Sequence, residues 1–527
     1  MPLLQHSNRI MSRALLLGMV VLILESIGFS ADSVIPLQAT GPDGDRIVFV
    51  IIAEGYDAAD LEDFPGDAQA VVHHLFSEEP FASYRNYFNV YGISVESAQS
   101  GVDVPAQGII VNTAFDGTLS GNILTINGGK ALNSLIANKP DFDIVLALVN
   151  TPRYGGSGGL IGVASTHQNS AELAAHELGH SFVRLADEYD SSGGLPSEAP
   201  NATAETDLAK VRWKHWIEPG TPVPTPETSA YSETVGLFEG AAYRPTGWYR
   251  PHFNSKMRTL GRPWGQINSE AIILKIYSAV APFRTSYPPE SNLSIDFPQP
   301  LSFSLQNIME PIGHQMEITW QVDGIEQITR DKVFILPAGA LSNGRHEVRV
   351  AVNDPTPMVR DRSSGIMRRE KAWGVNVSNH LNFWAWVKSE FPGEPAFQFP
   401  ELDVDLDGQS ALEEFVLGSR PGIPNPSPIQ VTAKPVSETE IRMIVEFERG
   451  LSRVGVAVFL EVSSDLLTWI EIARSENSQP FVGSVSVVET PDGVNRSHVR
   501  IEDLVAHSPN RTQSRFVRFG YSLLDTP

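Results

Sequence analysis

Two histidines and a glutamate in the first half of the chain have the spacing of a metal-binding helix. Residues 171–189 contain His176, Glu177 and His180, which form an HExxH pattern. Residues four apart on a helix lie one turn above each other on the same face, so both imidazoles can bind one cation. Zinc accepts neutral imidazole nitrogens and leaves a coordination position open for water. Glu177 stands next to the first ligand, where it can take a proton from that water.

The third protein ligand does not follow from the spacing alone. In the metzincin arrangement it stands ten residues after the first ligand, behind a helix-breaking glycine, but here Ala186 occupies that position. Asp187 and Glu188 follow directly. On an unbroken helix Asp187 would lie about 10 Å further along the axis than His180. Either the chain turns after about Leu185 and brings Asp187 or Glu188 back, or the third ligand comes from elsewhere.

A second pattern of metal ligands lies in the second half of the chain. Residues 403–414 match the calcium-loop pattern D-x-[DN]-x-[DN]-G-x5-E without a mismatch. The carboxylates and the final bidentate glutamate supply hard oxygen ligands, and the glycine permits a sharp turn. The predicted calcium ligands are Asp403, Asp405, Asp407, Gln409 and Glu414. The helix expected to follow ends near Gly418, so the loop resembles bacterial dockerin-type calcium loops, and we expect a structural role.

The composition limits the classes of function. The chain has 527 residues, a formal net charge of −23 and no cysteine. The absence of cysteine excludes disulfide scaffolds, cysteine nucleophiles, thiolate zinc sites and iron–sulfur clusters. The acidic balance argues against nucleic acid as a partner. At about 100–200 residues per domain, the length implies about two to four domains.

The first thirty residues have the pattern of a signal peptide. Arg9 and Arg13 precede the apolar run 14–24, which is too short to span a bilayer, since spanning takes about twenty residues. We predict a signal peptide over residues 1–31, with an uncleaved anchor as the alternative. Export of a cysteine-free chain predicts a secreted or periplasmic bacterial protein without stable membrane insertion.

The elements that position the HExxH helix are predicted to form an α/β (α+β) domain over residues 32–286. Continuous apolar runs at 47–52 and 143–149 predict buried strands. The strand at 143–149 is either an edge strand that pairs with an extended substrate or an interior strand. The glycine-rich residues 155–159 are predicted to form a mobile rim of the site.

The second half of the chain is predicted to consist of β-modules. Apolar and polar residues alternate along short segments separated by turn residues, which is typical of β-sandwiches. We predict one β-sandwich over 287–378, a linker with the calcium loop over 379–424, and a second β-sandwich over 425–527. The predicted fold class is therefore a multidomain chain, with an α/β catalytic domain followed by these modules.

Several separated motifs resemble one family. Residues 176–189 are similar to the HExGHxxxxLxDEY signature of the immunoglobulin A peptidase family of bacterial zinc metallopeptidases. The likeness extends over roughly residues 45–283. Its further segments, in chain order, are 52–56, 79–85, 88–90, 113–116, 154–156, 236–240, 249–251 and 256–258.

The resemblance implies a zincin-like, metzincin-like catalytic domain that cleaves peptide bonds with zinc. It implies that His176 and His180 are zinc ligands and that Glu177 is the general base. Asp187, within the DEY part of the signature, is the preferred third ligand. Met257 is a candidate for the Met-turn beneath the metal, with an ordinary core methionine as the alternative.

Two further expectations concern the neighbourhood of Met257. Members of the family often carry cysteines near this segment, where this chain has Ser255 and Asn268, so its local bracing is expected to differ. Tyr249 is predicted to be catalytic, and Tyr243 is a second candidate, because a phenol can hydrogen-bond the oxyanion that develops on the attacked carbonyl. A core or rim position is the alternative for both tyrosines.

The predicted function is that of a secreted zinc-dependent endopeptidase acting on a protein or glycoprotein substrate. A zinc-bound water activated by Glu177 attacks the peptide carbonyl, and calcium has a structural role. One alternative is an extracellular adhesin or binding protein with a non-catalytic zinc site. Another is a zinc hydrolase acting on glycopeptides.

Overall fold

The chain forms two compact units in the computed structural model. The described residues are 32–191, 195–295, 300–337, 340–378, 381–391, 399–420, 422–492, 495–503, 505 and 515–524. The predicted signal peptide lies outside these ranges. The first unit takes Met1–Pro282, Met309–Met316 and Asn353–Arg369, and the second takes Phe283–Ile308, Glu317–Val352 and Glu370–Pro527.

The first unit is a mixed α/β structure, as the sequence predicts. Its described strands are β1 (Ser33–Gln38), β2 (Ile47–Glu54), β3 (Phe88–Ser94), β4 (Thr118–Ser120), β5 (Ile123–Thr125), β6 (Ile144–Val149), β7 (Gly156–Ser157), β8 (Gly162–Ser165), β9 (Phe238–Ala241) and β10 (Arg244–Arg250). Its described α-helices are α1 (Phe64–Leu75), α2 (Phe81–Tyr84), α3 (Gly128–Asn138), α4 (Ser170–Leu178) and α5 (Gln266–Ala279).

Strands β1 to β8 form one sheet in the order β1-β3-β2-β6-β8-β7-β5-β4. β2 runs parallel to β3 and β6, and β6 runs parallel to β8. β6 therefore lies inside the sheet, which decides against the edge-strand alternative for residues 143–149. The predicted rim at 155–159 contains β7, which pairs with β8 and β5.

Both faces of this sheet are covered, which explains the continuous apolar run of β2. Ile51 belongs to a core that includes residues of α1, α4 and α5. Val50, its neighbour along the strand, belongs to a second core that includes residues of α3. A strand buried on both faces needs apolar residues at every position. The HExxH helix thus lies in one outer layer of a three-layer α/β/α unit.

Two segments within the range predicted as the first β-sandwich pack instead in the first unit. Buried Asp354 accepts hydrogen bonds from the hydroxyl groups of Tyr84 (2.7 Å) and Tyr277 (2.6 Å), and His314 lies 2.8 Å from its other oxygen. These bonds attach both Met309–Met316 and Asn353–Arg369 to α2 and α5.

The second unit is mostly β-structure. Its described strands are β11 (Phe283–Tyr287), β12 (Asn292–Ile295), β13 (Leu301–Ile308), β14 (Glu317–Val322), β15 (Ile325–Glu326), β16 (Val333–Leu336), β17 (Gly344–Asn353), β18 (Arg368–Val377), β19 (Leu381–Asn382), β20 (Gln430–Pro435), β21 (Ile441–Gly450), β22 (Arg453–Val454), β23 (Val456–Ser463), β24 (Ile470–Glu476), β25 (Val482–Gly483), β26 (Ser486–Pro491), β27 (Arg496–Glu502) and β28 (Phe516–Leu523). Its described helices are α6 (Phe383–Glu390) and α7 (Ala411–Leu417).

Aromatic contacts join the larger sheets of this unit in pairs. Trp320 of the five-stranded sheet β12-β18-β17-β14-β15 lies 5.2 Å, between ring centroids, from Phe334 of the sheet β11-β13-β16. Phe447 of the sheet β20-β21-β27-β26 lies 4.6 Å from Phe519 of the sheet β25-β24-β23-β28. Within the described ranges, no helix combines the length and apolar character that crossing a membrane requires.

Candidate metal centre

The HExxH helix changes its winding at the glycine of the motif. Helix α4 passes into a π-helical segment, Gly179–Val183, and Arg184 then adopts a left-handed conformation with φ 64°. The amide of Leu185 donates to the carbonyl of Gly179 at 3.0 Å. Because the backbone reverses at Arg184, Asp187 returns toward His180 instead of continuing along the axis. Single π-helical turns of this kind are frequent at functional sites.

Three side chains converge after this turn. Nε2 of His176 and Nε2 of His180 lie 3.1 Å apart, and Oδ1 of Asp187 lies 3.2 Å from each of them. Ligand atoms at about 2.0–2.1 Å from a tetrahedral zinc ion are separated by about 3.3 Å. Oδ1 of Asp187 is shielded from solvent and accepts no hydrogen bond of normal geometry. This unpartnered oxygen makes Asp187, not Glu188, the carboxylate that fits a metal ion.

The electrostatics of the cluster follow from its burial. Burial acts to raise the pKa of Asp187, but the two neighbouring imidazoles outweigh it and hold that pKa below its ordinary value. Burial acts to lower the pKa of His180, but Asp187 outweighs it and raises the pKa to about 9. Asp187 and His180 therefore stabilise each other's charged forms.

Glu177 and His176, one member of the cluster, line the same cavity. The cavity has a volume of 340 Å³, and His176, Glu177, Tyr154, Tyr189 and Arg258 are among its lining residues. Burial raises the pKa of the Glu177 carboxyl, and the charge of Asp187 acts in the same direction. A buried carboxylate beside an open cavity can exchange protons with a molecule bound there.

The Met257 segment lies against the HExxH helix. Nδ1 of His176 is 3.1 Å from the carbonyl oxygen of Lys256, which fixes the orientation of the ring. A Cβ atom on Gly179 would lie 2.8 Å from Sδ of Met257, so glycine at this position permits the close approach of a fully buried methionine. Met257 therefore packs directly against the glycine of the HExxH motif.

Glu188 has a different environment from Asp187. Its fully buried carboxylate accepts hydrogen bonds from Asn201 Nδ2 (3.0 Å), Asn268 Nδ2 (2.9 Å) and Ser255 Oγ (2.8 Å). Burial raises the pKa of this carboxyl. Ser255 and Asn268 therefore brace the Met257 segment by hydrogen bonds to Glu188 rather than by a covalent bond.

The two candidate tyrosines lie in different places. Tyr243 follows the strand β9, and its hydroxyl donates to Oδ2 of Asp187, the oxygen that does not face the histidines. Tyr249, predicted to be catalytic, packs in an apolar cluster with Trp213 and Trp216 and is not among the residues that line the cavity. The structure therefore does not bring Tyr249 to the HExxH cluster, because its position on β10 turns the ring into this apolar cluster.

The calcium-loop residues also come together. Asp403, Asp405 and Asp407 each offer a carboxylate oxygen to one point in the loop. Glu414 is fully buried, and neither of its carboxylate oxygens has a hydrogen-bond partner. Burial and then the charges of Asp405, Asp407 and Asp403 raise the pKa of Glu414 to about 8. Gln409 has a side-chain oxygen without a partner, and helix α7 ends at Gly418 as expected.

Comparison with protein families identifies this region. Residues 35–231 match the family model described as IgA Peptidase M64. The family resemblance predicted from the sequence is confirmed for residues 35–231, and the predicted motifs between 236 and 258 lie outside the match. The match includes all three residues of the metal cluster together with Glu177, and it supports a peptidase, a hydrolase that acts on protein substrates. No curated protein sequence matches the chain.

Two solved structures show distant likenesses to the chain. One is SGBP-B of the Bacteroides ovatus mixed-linkage glucan utilization locus, in complex with a mixed-linkage heptasaccharide. The alignment has 11% sequence identity and a TM-score of 0.12, and it covers 42% of this chain and 58% of the SGBP-B chain. A calcium binding mutant of Bacteroides uniformis beta-glucuronidase 2 aligns with 10% identity over 75% of this chain and 46% of its own, with a TM-score of 0.14. The chain spans about half the length of these structures. Such low scores carry no argument about fold or function.

Proposed function

We propose that this protein is an exported zinc-dependent endopeptidase whose catalytic domain is zincin-like. The observation that carries the proposal is the convergence of His176, His180 and Asp187 around one point, beside Glu177 and an accessible cavity. The family match supplies the reaction class, because it supports a peptidase. Export rests on the apolar pattern of residues 14–24.

The donor set of the cluster fits zinc. Two imidazoles and one carboxylate, in a chain without cysteine, form the kind of nitrogen and oxygen set that catalytic zinc accepts. His176 and His180 are oriented by the carbonyl groups of Lys256 and Leu185, at 3.1 and 2.8 Å from their Nδ1 atoms. A zinc ion held here would polarise the scissile carbonyl and make a water molecule more acidic.

Glu177 is the residue that moves protons in this proposal. Its carboxylate accepts a proton from the attacking water and then donates it to the amine that leaves. Its raised pKa suits both steps, because a carboxyl that is less acidic than usual holds the proton between them. Gly158 has no side chain, and a Cβ atom there would lie 3.1 Å from Oε2 of Glu177. The glycine that follows β7 therefore leaves room for this carboxylate.

Substitution of Glu177 tests the mechanism with little change of shape. We expect Glu177→Gln to bind zinc as the parent does and to cleave peptides about 10²–10⁴-fold more slowly, which is the usual contribution of general acid–base catalysis. The measurements are zinc content by elemental analysis and cleavage of a diverse peptide library. Unchanged cleavage by the variant would refute the assignment of Glu177.

The same assays separate the alternatives. A binding protein with a non-catalytic zinc site would bind zinc, but the parent chain would cleave neither peptides nor glycopeptides. A hydrolase specific for glycopeptides would cleave a glycosylated library and leave its unglycosylated counterpart intact. Cleavage of the unglycosylated library by the parent is the result expected here.

We also propose that the loop 403–414 binds calcium and stabilises the second unit. Three aspartates, the buried Glu414 and the unpartnered oxygen of Gln409 provide the hard oxygen ligands that calcium prefers. A fully buried carboxylate that has no hydrogen-bond donor is costly unless a cation binds to it. The loop has no histidine, which favours calcium over a transition metal.

A further inference from the structure

The first unit contains a second group of metal-ligand atoms outside the HExxH signature. His74, near the end of α1, Glu78, and Glu172 in the first turn of α4 each offer one ligand atom, and these atoms lie within 4.8 Å of one another. The side chain of Lys256 reaches the same two glutamates. The proposed peptidase mechanism does not use any of these side chains for chemistry.

The distances within this group resemble those of the HExxH cluster. Nε2 of His74 lies 3.1 Å from Oε1 of Glu172 and 3.7 Å from Oε1 of Glu78. Ligand atoms around a tetrahedral zinc ion are separated by about 3.3 Å. Nε2 of His74 is also shielded from solvent and makes no hydrogen bond of normal geometry. A buried ring nitrogen that lies close to two carboxylates and makes no hydrogen bond of normal geometry calls for an explanation, and an ion between the three atoms provides one.

The net charge of the group is compatible with the binding of a divalent cation. Nζ of the fully buried Lys256 lies 2.5 Å from Oε2 of Glu172 and 3.0 Å from Oε2 of Glu78. The oxygens nearest to His74 are the Oε1 atoms of the same carboxylates. Lys256 compensates for one of the two negative charges, so with neutral His74 the group keeps one net negative charge.

We propose that His74, Glu78 and Glu172 form a second site for a divalent transition-metal ion, separate from the HExxH site. The imidazole selects transition metals such as zinc over calcium and magnesium, which prefer oxygen ligands only. We expect the affinity for zinc to be at least about tenfold weaker than at the HExxH site, because the ammonium group of Lys256 binds to the same carboxylates and repels the ion.

The test is the number of zinc ions bound per full-length chain as free zinc is raised. Millimolar calcium is present throughout, so that the acidic loop 403–414 does not take up zinc. We expect the parent to bind a second zinc ion after the first, and His74→Gln to lose the second ion and keep the first. His73→Gln is the matched control, because His73 is the exposed neighbour of His74 on α1 and is expected to leave both ions in place.

Two outcomes would overturn the proposal. If the parent binds one zinc ion even at high free zinc, the three side chains form only an ion-pair network around Lys256. If His74→Gln still binds two ions, the second ion lies elsewhere. Glu78→Gln serves as the second variant if His74→Gln does not fold, and it is expected to lose the same ion. His180→Gln keeps this test independent of the peptidase proposal, because it should lose the tightly bound ion and retain the weak one.

Discussion

Removal of calcium should make the stability of the second unit decrease as the pH rises, and Glu414 is the reason. Its carboxyl is fully buried beside Asp403, Asp405 and Asp407, and neither oxygen makes a hydrogen bond of normal geometry. Burial and these charges raise its pKa from 4.5 to about 8. Without a cation, the folded loop therefore favours the protonated form of Glu414.

The direction of the effect follows from the linkage between proton binding and folding. The folded pKa lies above the unfolded value, so this contribution to stability is fully present below about pH 4.5 and is lost as the pH rises through about 8. The shift corresponds to about 5 kcal/mol at about 1.4 kcal/mol per pH unit. Solvent near the acidic loop screens these charges, so we expect about 2 kcal/mol. For a unit of this size that equals about 4–8 °C in melting temperature.

The assay is thermal unfolding at pH 5.5 and pH 8.5, with Glu414→Gln as the matched variant. In buffer without added divalent metal ions, the parent should lose about 4–8 °C relative to the variant between these two pH values. In calcium the order should reverse, because only the parent supplies the bidentate carboxylate at loop position 12. Equal pH dependence of the two proteins, or equal stabilisation of both by calcium, would refute the role of Glu414.

Two further predictions concern the HExxH cluster. Tyr243→Phe removes the hydrogen bond to Asp187 and should weaken zinc binding about 10–100-fold, measured by competition with a chelating dye. Tyr249→Phe is the control and should leave the zinc affinity unchanged. Equal zinc affinities of the two variants would contradict these placements. Gly179→Ala places a Cβ atom 2.8 Å from Sδ of Met257 and should lower the free energy of unfolding of the zinc-loaded protein by about 1–3 kcal/mol, measured by denaturant titration. A stability equal to that of the parent would show that Met257 can move aside at no cost.

The sequence could predict the ligands on regular structure but not the turn that completes the site. His176 and His180 follow from helical periodicity alone. The return of Asp187 depends on a π-helical segment and on the left-handed conformation of Arg184. Arginine is not a residue that signals such a conformation, so no local pattern marks the point at which the helix ends. The tertiary contacts around residues 186–188 determine it instead.

Other residues of the site could not be assigned because their partners are distant in sequence. The side chain of Asn201 accepts a hydrogen bond from the amide of Ala186 at 2.8 Å and donates one to the carbonyl of Ala186 at 2.9 Å. It also donates to the carboxylate of Glu188. Some motif residues of the resemblance have structural rather than chemical roles. Glu54 of the 52–56 motif accepts hydrogen bonds from Thr113 Oγ1 and the amide of Phe115 in the 113–116 motif, at 2.6 and 2.8 Å. The position of a motif in the sequence does not separate these two kinds of role.

The hydrogen-bond donors around a buried carboxylate distinguish a structural role from a role in metal binding. Asp187 and Glu188 are adjacent and almost equally buried, yet Oδ1 of Asp187 makes no hydrogen bond of normal geometry and faces two imidazoles, whereas the Glu188 carboxylate accepts three hydrogen bonds. A buried carboxylate whose donors are complete is stable without an ion, and one that lacks donors needs a cation. By the same criterion Glu54 belongs with the structural carboxylates, and Glu414 is a candidate metal ligand. Residue type and spacing therefore indicate which carboxylates are able to bind a metal, and the donors that the fold supplies decide which of them require one.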